Sequence, residues 1–329
     1  MHKLIKKEDK IFIAGSNGMV GKALHRAFKK NNYLNLLTPS RNDLDLFNFI
    51  DVKNWFLKNQ PNVVIIAAAK VGGILANYEY PFEFLIENLK IQNNLIEIAS
   101  SIKVKRLLFL GSSCIYPRNS IQPIKEEYLL NGSLEKTNES YAIAKIAGLK
   151  LCESLRIEYK FDAISVMPTN LYGQGDNYDP QSSHVLAALI RKFCLAKKYS
   201  KENVICWGTG NPMREFLHVD DLADACIFLL EKWDPFLDNA PRDSKGNILN
   251  HINIGTGKDI SIAELASKIS KILNYKGKII WDNSKPDGTP RKILDVSNLN
   301  KLGWYSQIKL EEGLKQTINE FNNSNYQDF

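Results

Sequence analysis

No stretch of this 329-residue chain approaches the ~20 consecutive apolar residues that a bilayer span requires, so a membrane-embedded protein is not expected. The first ten residues, Met-His-Lys-Leu-Ile-Lys-Lys-Glu-Asp-Lys, mix acids with bases and hold no apolar run, so no secretory segment is expected either. Cysteine is scarce: Cys114, Cys152, Cys194, Cys206 and Cys226 are odd in number and widely scattered, with no C-x-x-C pair and no histidine at zinc-finger spacing. That usage argues against a disulfide scaffold and a metal site, and it fits a reducing compartment, the cytoplasm. Blocks of like charge are also missing. The net charge of +7, from 43 Lys+Arg against 36 Asp+Glu, is spread along the chain with no basic stripe interleaved with aromatics. Nucleic acid is therefore not the expected partner; the excess fits an anionic small ligand or simply a lysine-rich solvated surface. Repeats and low-complexity linkers are absent.

What is present is 44% hydrophobic and 24% charged content, enough for one large core or for two domains sharing an interface. Short apolar runs alternate with longer segments of helical period, the pattern of parallel strands joined by crossover helices. Strands are predicted at 10–14, 62–68, 106–110 and 162–167, each continuously apolar as in a sheet covered on both faces. Helices are predicted at 19–30, near 81–101 and near 139–159. Beyond Pro168 the composition turns to Gly, Asn, Asp and Pro over 170–183, as in a site built from loops. A helix from His184, a strand at 204–207, a helix from Asp220 and a mixed tail over 251–309 follow. The expected fold is α/β, a Rossmann-type doubly wound parallel sheet with a smaller mixed α/β lobe and a cleft between them. The first domain is placed at 1–170, with segments around 204–232 returning to it, and the substrate lobe at 171–329.

The turn Gly15-Ser16-Asn17-Gly18-Met19-Val20-Gly21 lies between a strand and a helix, the context in which such glycines bind a dinucleotide. Gly15 permits the tight turn, Gly18 lets backbone approach a pyrophosphate, and Gly21 lets helix and strand pack closely. About 20 residues on, where an acidic residue marks NAD, the chain reads Leu36-Leu37-Thr38-Pro39-Ser40-Arg41. Ser40 and Arg41 suit a 2′-phosphate, so the cofactor reading is NADP(H). Arg41 as an ordinary exposed arginine stays open.

Tyr141-Ala142-Ile143-Ala144-Lys145 puts a phenol and an ammonium one helical turn apart on one face. A phenol titrates near 10, and a nearby cation is expected to lower that, so that Tyr141 protonates a carbonyl oxygen as hydride arrives while Lys145 holds a cofactor ribose. Gly111-Ser112-Ser113-Cys114 follows a predicted strand at its C-terminal end, where open sheets place ligands. A serine hydroxyl there, Ser112 in preference to Ser113, can bind the substrate carbonyl. Glycine turn, strand-end serine and Tyr/Lys helix, in this order, resemble the extended short-chain dehydrogenase/reductases.

Six further stretches narrow the resemblance: 67–74, Ala-Ala-Ala-Lys-Val-Gly-Gly-Ile; 111–117, Gly-Ser-Ser-Cys-Ile-Tyr-Pro; 141–148, Tyr-Ala-Ile-Ala-Lys-Ile-Ala-Gly; 167–173, Met-Pro-Thr-Asn-Leu-Tyr-Gly; 212–221, Pro-Met-Arg-Glu-Phe-Leu-His-Val-Asp-Asp; and 285–292, Lys-Pro-Asp-Gly-Thr-Pro-Arg-Lys. Together they resemble the GDP-L-fucose synthase family, over roughly residue 10 to beyond Trp304. The resemblance implies 3,5-epimerisation of GDP-4-keto-6-deoxy-D-mannose followed by NADPH-dependent reduction at C4. It implies Cys114 and His184 as the proton-transfer pair, and Lys192, Trp207, Arg214 and Asp287 as nucleotide-sugar contacts. It implies Leu110, Gly111, Ser112, Ser113, Lys145, Pro168, Thr169, Asn170, Leu171 and His184 as cofactor contacts, alongside the glycine turn. A homodimer is also implied, with the 81–101 and 139–159 helices as candidates for its interface. Two departures are that Asn17 stands where the family can have arginine, and that Lys192 is lysine where arginine also occurs.

Read without the resemblance, Cys114 is a small buried hydrophobe rather than a reactive thiol, His184 is equally a helix cap, and Arg214 as a partner for Glu215 or Asp220 and Trp207 as a core residue stay open. The rival functions are another nucleotide-sugar 4-epimerase, 4-reductase or dehydratase on the same scaffold and, in a different class, a non-catalytic NADP-binding sensor. The dehydratases resemble one another in an Asp-Glu pair after the strand-end hydroxyl; this chain has Ser113-Cys114 there.

Overall fold

A computed structural model describes residues 4–285 and 287–323; Pro286 of the 285–292 stretch lies outside the described residues. In chain order the first half runs β1 (Ile11–Ala14), α1 (Met19–Lys30), β2 (Leu36–Leu37), α2 (Phe49–Asn59), β3 (Val63–Ile66), α3 (Ile74–Glu79), α4 (Pro81–Ser101), β4 (Arg106–Leu110), α5 (Glu139–Tyr159) and β5 (Ala163–Pro168). The second runs β6 (Asn170–Tyr172), α6 (Val185–Lys198), β7 (Asn203–Trp207), β8 (Met213–His218), α7 (Val219–Lys232), β9 (His251–Ile254), β10 (Asp259–Ser261), α8 (Ile262–Leu273), β11 (Lys278–Asp282), β12 (Arg291–Lys292), α9 (Ser297–Leu302) and α10 (Leu310–Asn323).

The main sheet is parallel throughout, with strand order β2-β1-β3-β4-β5-β9. Alternation along β1 shows why the strands are apolar end to end. Ile11 and Ile13 enter a core with Leu24, Phe28 and α7, while Phe12 and Ala14 enter a second core with Phe56, Leu95 and Leu149 on the opposite face. The order reverses at β1, which has β2 on one side and β3 on the other, and such a switch point opens a crevice at the carboxyl ends of the strands.

A third core, formed by Leu186, Phe193, Leu265, Ile269, Leu314 and Phe321 among others, belongs to the second lobe. The chain returns to the first lobe later than its sequence suggests. The strand at 203–207 pairs with β11 and buries Val204 and Cys206 in the third core, so it does not rejoin the main sheet. The return is made by α7, packed on α1, and by β9, the sixth strand. Hydropathy alone does not separate these two apolar segments, because each is half of a sheet or layer whose other half is distant in sequence. Among the described residues, no helix is long and apolar enough to cross a membrane.

Candidate active site

The glycine turn sits at the switch point. Gly15 has φ +81°, and a Cβ there would lie 2.7 Å from the backbone N of Ala68, so β1 and the end of β3 approach as only glycine allows. A Cβ on Gly21 would meet the Gly15 carbonyl oxygen at 2.1 Å, which is the close crossing of helix and strand anticipated for the third glycine. Gly18 caps α1 without a side-chain bond, and no acidic residue occupies the first turn, so the positive end of the helix dipole is uncompensated. A side chain on Gly18 would touch only the Gly15 oxygen, at 3.5 Å; the turn thus fits a pyrophosphate approaching backbone N–H groups. Asn17 is exposed, Ser16 is buried, and Met19 and Val20 pack partly against the first core.

Beyond β2, Arg41 is exposed with its guanidinium carbon 5.4 Å from the Phe47 ring centroid. Ser40 is already engaged: its hydroxyl and N–H both donate to the Asp43 carboxylate, at 2.6 and 2.9 Å. Those bonds hold Asp43 below the usual carboxylate range, which leaves Arg41 as the free cation of the pair singled out in the sequence.

The reductase group assembles at the end of β4 and the start of α5. Lys145 is buried and donates from Nζ to the Leu110 carbonyl at 2.9 Å; burial lowers its pKa to about 8. The Ser112 hydroxyl hydrogen-bonds the Tyr141 phenol and accepts from the Cys114 N–H at 3.2 Å, whereas Ser113 is buried. The expected lowering of the phenol by Lys145 is not what the geometry produces. Burial, and then the electrostatic influence of nearby Cys114, raise the Tyr141 pKa, with only the Ser112 bond pulling it down. Burial is the largest influence on the phenol, while the ammonium is directed to Leu110 and stands 5.9 Å from the phenol ring centroid. Tyr141 is consequently a protonated phenol at neutral pH, the form that donates.

Cys114 is a half-buried free thiol rather than core. Its sulfur accepts from Asn138 Nδ2 at 3.4 Å and from Lys292 Nζ at 3.7 Å, beside a polar cavity of about 30 Å³ also lined by Arg118, Glu135 and Thr289. His184 stands at the head of α6 but makes no side-chain capping bond, so the capping alternative falls away. Although His184 keeps a large exposed surface, crowding by protein atoms and then the charge of Lys292 lower its pKa, leaving it neutral at pH 7. Gly73 explains part of this placement. Its N–H donates to the Ser182 carbonyl at 2.9 Å, and a Cβ would lie 2.8 Å from the Ser183 oxygen, so Gly73 lets the 182–183 segment close onto the first lobe.

The chain leaves β5 at Pro168 and passes through Thr169 into β6, which opens with Asn170 and Leu171 and pairs with β8. Thr169 Oγ1 and Asn170 Nδ2 both donate to the Glu215 carbonyl, at 3.3 and 2.7 Å. On the second lobe, Trp207 is 53% exposed and so is not core; Lys192 and Lys285 flank its ring at 5.3 and 5.6 Å. Lys192 also donates to the Ile205 carbonyl at 2.9 Å. Arg214 pairs with neither Glu215, which is buried on other partners, nor Asp220, which binds Arg26 at 2.6 Å. Instead it donates to the Met213 carbonyl and faces the charge of Asp287, which in turn accepts from the Thr209 N–H and hydroxyl.

Lys292 and Asn138 both reach Cys114, although neither stands out in the sequence as a site residue. Lys292 closes the 285–292 stretch, which was the available signal; Asn138 carried none. A larger cavity of about 200 Å³, lined by Lys125, Glu127, Arg242, Asp243, Asn298 and Lys301, lies apart from this constellation.

Residues 11–255 match the NAD dependent epimerase/dehydratase family. The chain is 51% identical over 311 residues to GDP-L-fucose synthase 1 of Arabidopsis thaliana, covering 94% of this chain and 92% of the relative. It is 49% identical over 315 residues to the GDP-L-fucose synthase of Escherichia coli, covering 95% and 97%. Among solved structures, a GDP-L-fucose synthetase from Naegleria fowleri bound to NADP superposes with a TM-score of 0.86 at 25% identity, over 98% of this chain and 97% of that one. Switch-point glycine turn, strand-end serine, Tyr/Lys helix and half-identity over nearly the whole length agree, and the chain belongs to the NAD dependent epimerase/dehydratase family and, within it, to the GDP-L-fucose synthases.

Proposed function

We propose that the chain converts GDP-4-keto-6-deoxy-D-mannose to GDP-L-fucose by inverting C3 and C5 and then reducing C4 with NADPH. The observation that carries this reading is the meeting of two machineries at one strand end: Cys114, held by Lys292, lies two residues from the Ser112 hydroxyl that bonds Tyr141. The C4 ketone acidifies the protons on its neighbours, so inversion needs one group to remove a proton and another to return one on the opposite face. Cys114 and neutral His184 fill these roles, from the first lobe and from the head of α6.

NADPH supplies the hydride to C4. Tyr141 donates its phenolic proton to the C4 oxygen, Ser112 orients that oxygen, and Lys145 holds the ribose. The turn from Gly15 to Gly21 and the Pro168 to Leu171 segment cradle the dinucleotide, and Arg41 meets its 2′-phosphate. Lys192, Trp207, Arg214 and Asp287 bind the GDP moiety, with Arg214 suited to a diphosphate oxygen. The division of labour is a cofactor domain over 1–170, completed by α7 and β9, and a substrate lobe over most of the remainder. Pairing of two chains through α4 and α5 is supported by exposed Phe82, Ile143 and Leu151 on these helices, and a cytoplasmic location by five unpaired cysteines.

Incubation with the keto-sugar and NADPH in deuterated water tests the reaction. Cofactor oxidation, GDP-L-fucose as product and deuterium at C3 and C5 are expected; reduction without deuterium at those carbons would reassign the chain as a plain 4-reductase.

A further inference from the structure

Beneath the cleft lies a carboxylate that the reaction as described does not use. Glu215, on β8, is completely buried. Successive residues of a strand point to opposite faces, so Glu215 projects away from the side on which its neighbour Arg214 stands. One of its oxygens accepts from the Thr256 and Gly257 N–H groups at 2.6 and 2.7 Å, and the other accepts from the Leu294 N–H at 2.9 Å. The 255–257 turn wraps so closely that a Cβ on Gly255 would be 2.3 Å from the carboxylate. Leu294 lies two residues beyond Lys292, and β12 pairs with β8 in a register that sets Lys292 beside Arg214. A two-residue strand has little pairing of its own to define that register; beyond it the segment is held on one side by a bridge between Ile124 and Leu294 and by the Ile293 N–H bond to Gln122, and on the other by the Leu294 N–H bond to Glu215. Lys292 then reaches Cys114 from the far lobe.

We propose that Glu215 is a positioning residue for epimerisation: by clamping Leu294 from below, it sets β12 so that Lys292 meets Cys114 and the nucleotide-sugar wall around Arg214 is fixed. The backbone carbonyl of the same residue accepts from Thr169 and Asn170, and the Thr169 hydroxyl also bonds the carboxylate, so Glu215 meets both sides of the cleft; the two bonds to its backbone carbonyl survive a change of side chain. A carboxylate is the side chain suited to this task, since it accepts on both oxygens, whereas an amide must turn an NH₂ toward one of the donor groups.

The inference rests on the reaction proposed above, and its test separates the two. Glu215→Gln keeps the size and the backbone carbonyl. Displacing a catalytic group by about 1 Å costs on the order of a hundredfold in rate. Glu215→Gln is therefore expected to slow deuterium exchange at C3 and C5 at least tenfold and to raise KM for the GDP-sugar, with the Kd for NADPH within twofold of the parent. The two residues should also be coupled: in a Lys292→Met background, Glu215→Gln should add little further loss of exchange. A Glu215→Gln protein with parental exchange and KM, a loss that includes NADPH binding in equal measure, or full additivity with Lys292→Met overturns the proposal. Should Glu215→Gln fail to fold, Glu215→Asp, which keeps both acceptor oxygens but shortens the reach, is read by the same criteria. An inactive parent overturns the reaction and the role of Glu215 with it; with an active parent, the variants bear on Glu215 alone.

Discussion

At the scale of the residue, the site is organised by what each polar atom is already bound to. Lys145 is committed to Leu110, and Tyr141 is raised by burial and held by Ser112, an arrangement that supports the proposed roles of the phenol as proton donor and the lysine as cofactor holder. Tyr141→Phe is accordingly expected to lower C4 reduction by at least a hundredfold while NADPH binding stays within a few-fold of the parent. Stopped-flow reduction and fluorescence titration of NADPH check the two halves. Arg41 is the exposed cation beyond β2, because Ser40 is engaged by Asp43. Removing a charge-assisted contact worth about 1.5 to 3 kcal/mol weakens binding at least tenfold. Arg41→Ala should therefore raise the Kd for NADPH by that factor and leave the Kd for NADH nearly unchanged; equal losses for both cofactors would place the 2′-phosphate elsewhere.

At the scale of the element, the placement of Tyr141 and Lys145, the helical positions to which the proposed reaction gives roles, depends on how closely α5 lies on the sheet. Gly148 sits one further turn along from Lys145, and a Cβ there would lie 2.5 Å from the Phe109 ring on β4 and 2.8 Å from Gln92 Oε1 on α4. Gln92 has its own task, donating to the Ala144 carbonyl at 2.7 Å, so neither neighbour can yield without disturbing α5. Overpacking of a closed core costs about 1 to 3 kcal/mol. Gly148→Ala is expected to lower stability by that amount, measured as the denaturant midpoint, and to reduce turnover, since it lifts the helix carrying Tyr141 and Lys145. An unchanged midpoint would mean that the helix shifts freely on the sheet.

At the scale of the whole molecule, buried carboxylates as well as apolar cores tie together segments distant in sequence. Glu126 accepts from the Asn253 N–H and from Asn298, tying the loop after β4 to β9 and α9; burial pushes its pKa to about 7 despite those bonds. Asp176, in the loop toward His184, is likewise pushed to about 7 by burial, with Glu320 of α10 acting in the same sense. A carboxyl whose folded pKa lies above its unfolded value of about 4 binds more protons when folded. Its contribution is thus full below about pH 4 and is lost as the pH rises through 7. Glu126→Gln should remove that loss, which amounts to up to about 3 kcal/mol for a single group. Unfolding free energies at pH 5 and pH 7.5 test this: the parent's decline between them should exceed that of the variant.

The local pattern of the chain was sufficient for α1, α4, β4 and α5 to be placed to the residue, because each is long or strongly apolar and is bounded by glycine, proline or polar residues. It was also sufficient for the glycine turn, the strand-end serine and the Tyr/Lys pair, whose chemistry depends on spacing within one element or one turn. Three-dimensional packing alone decided the rest. The strands β2 and β12, of two residues each, are too short to carry a period, and β9 joins the main sheet across more than eighty residues from its neighbour β5. The rise in the Tyr141 pKa, the exposure of Trp207 and the approach of Lys292 to Cys114 follow from desolvation and from how distant segments are placed. Neither depends on the order of residues along one segment: burial and through-space charge are properties of the assembled core, and so they appear only when the lobes have closed on each other.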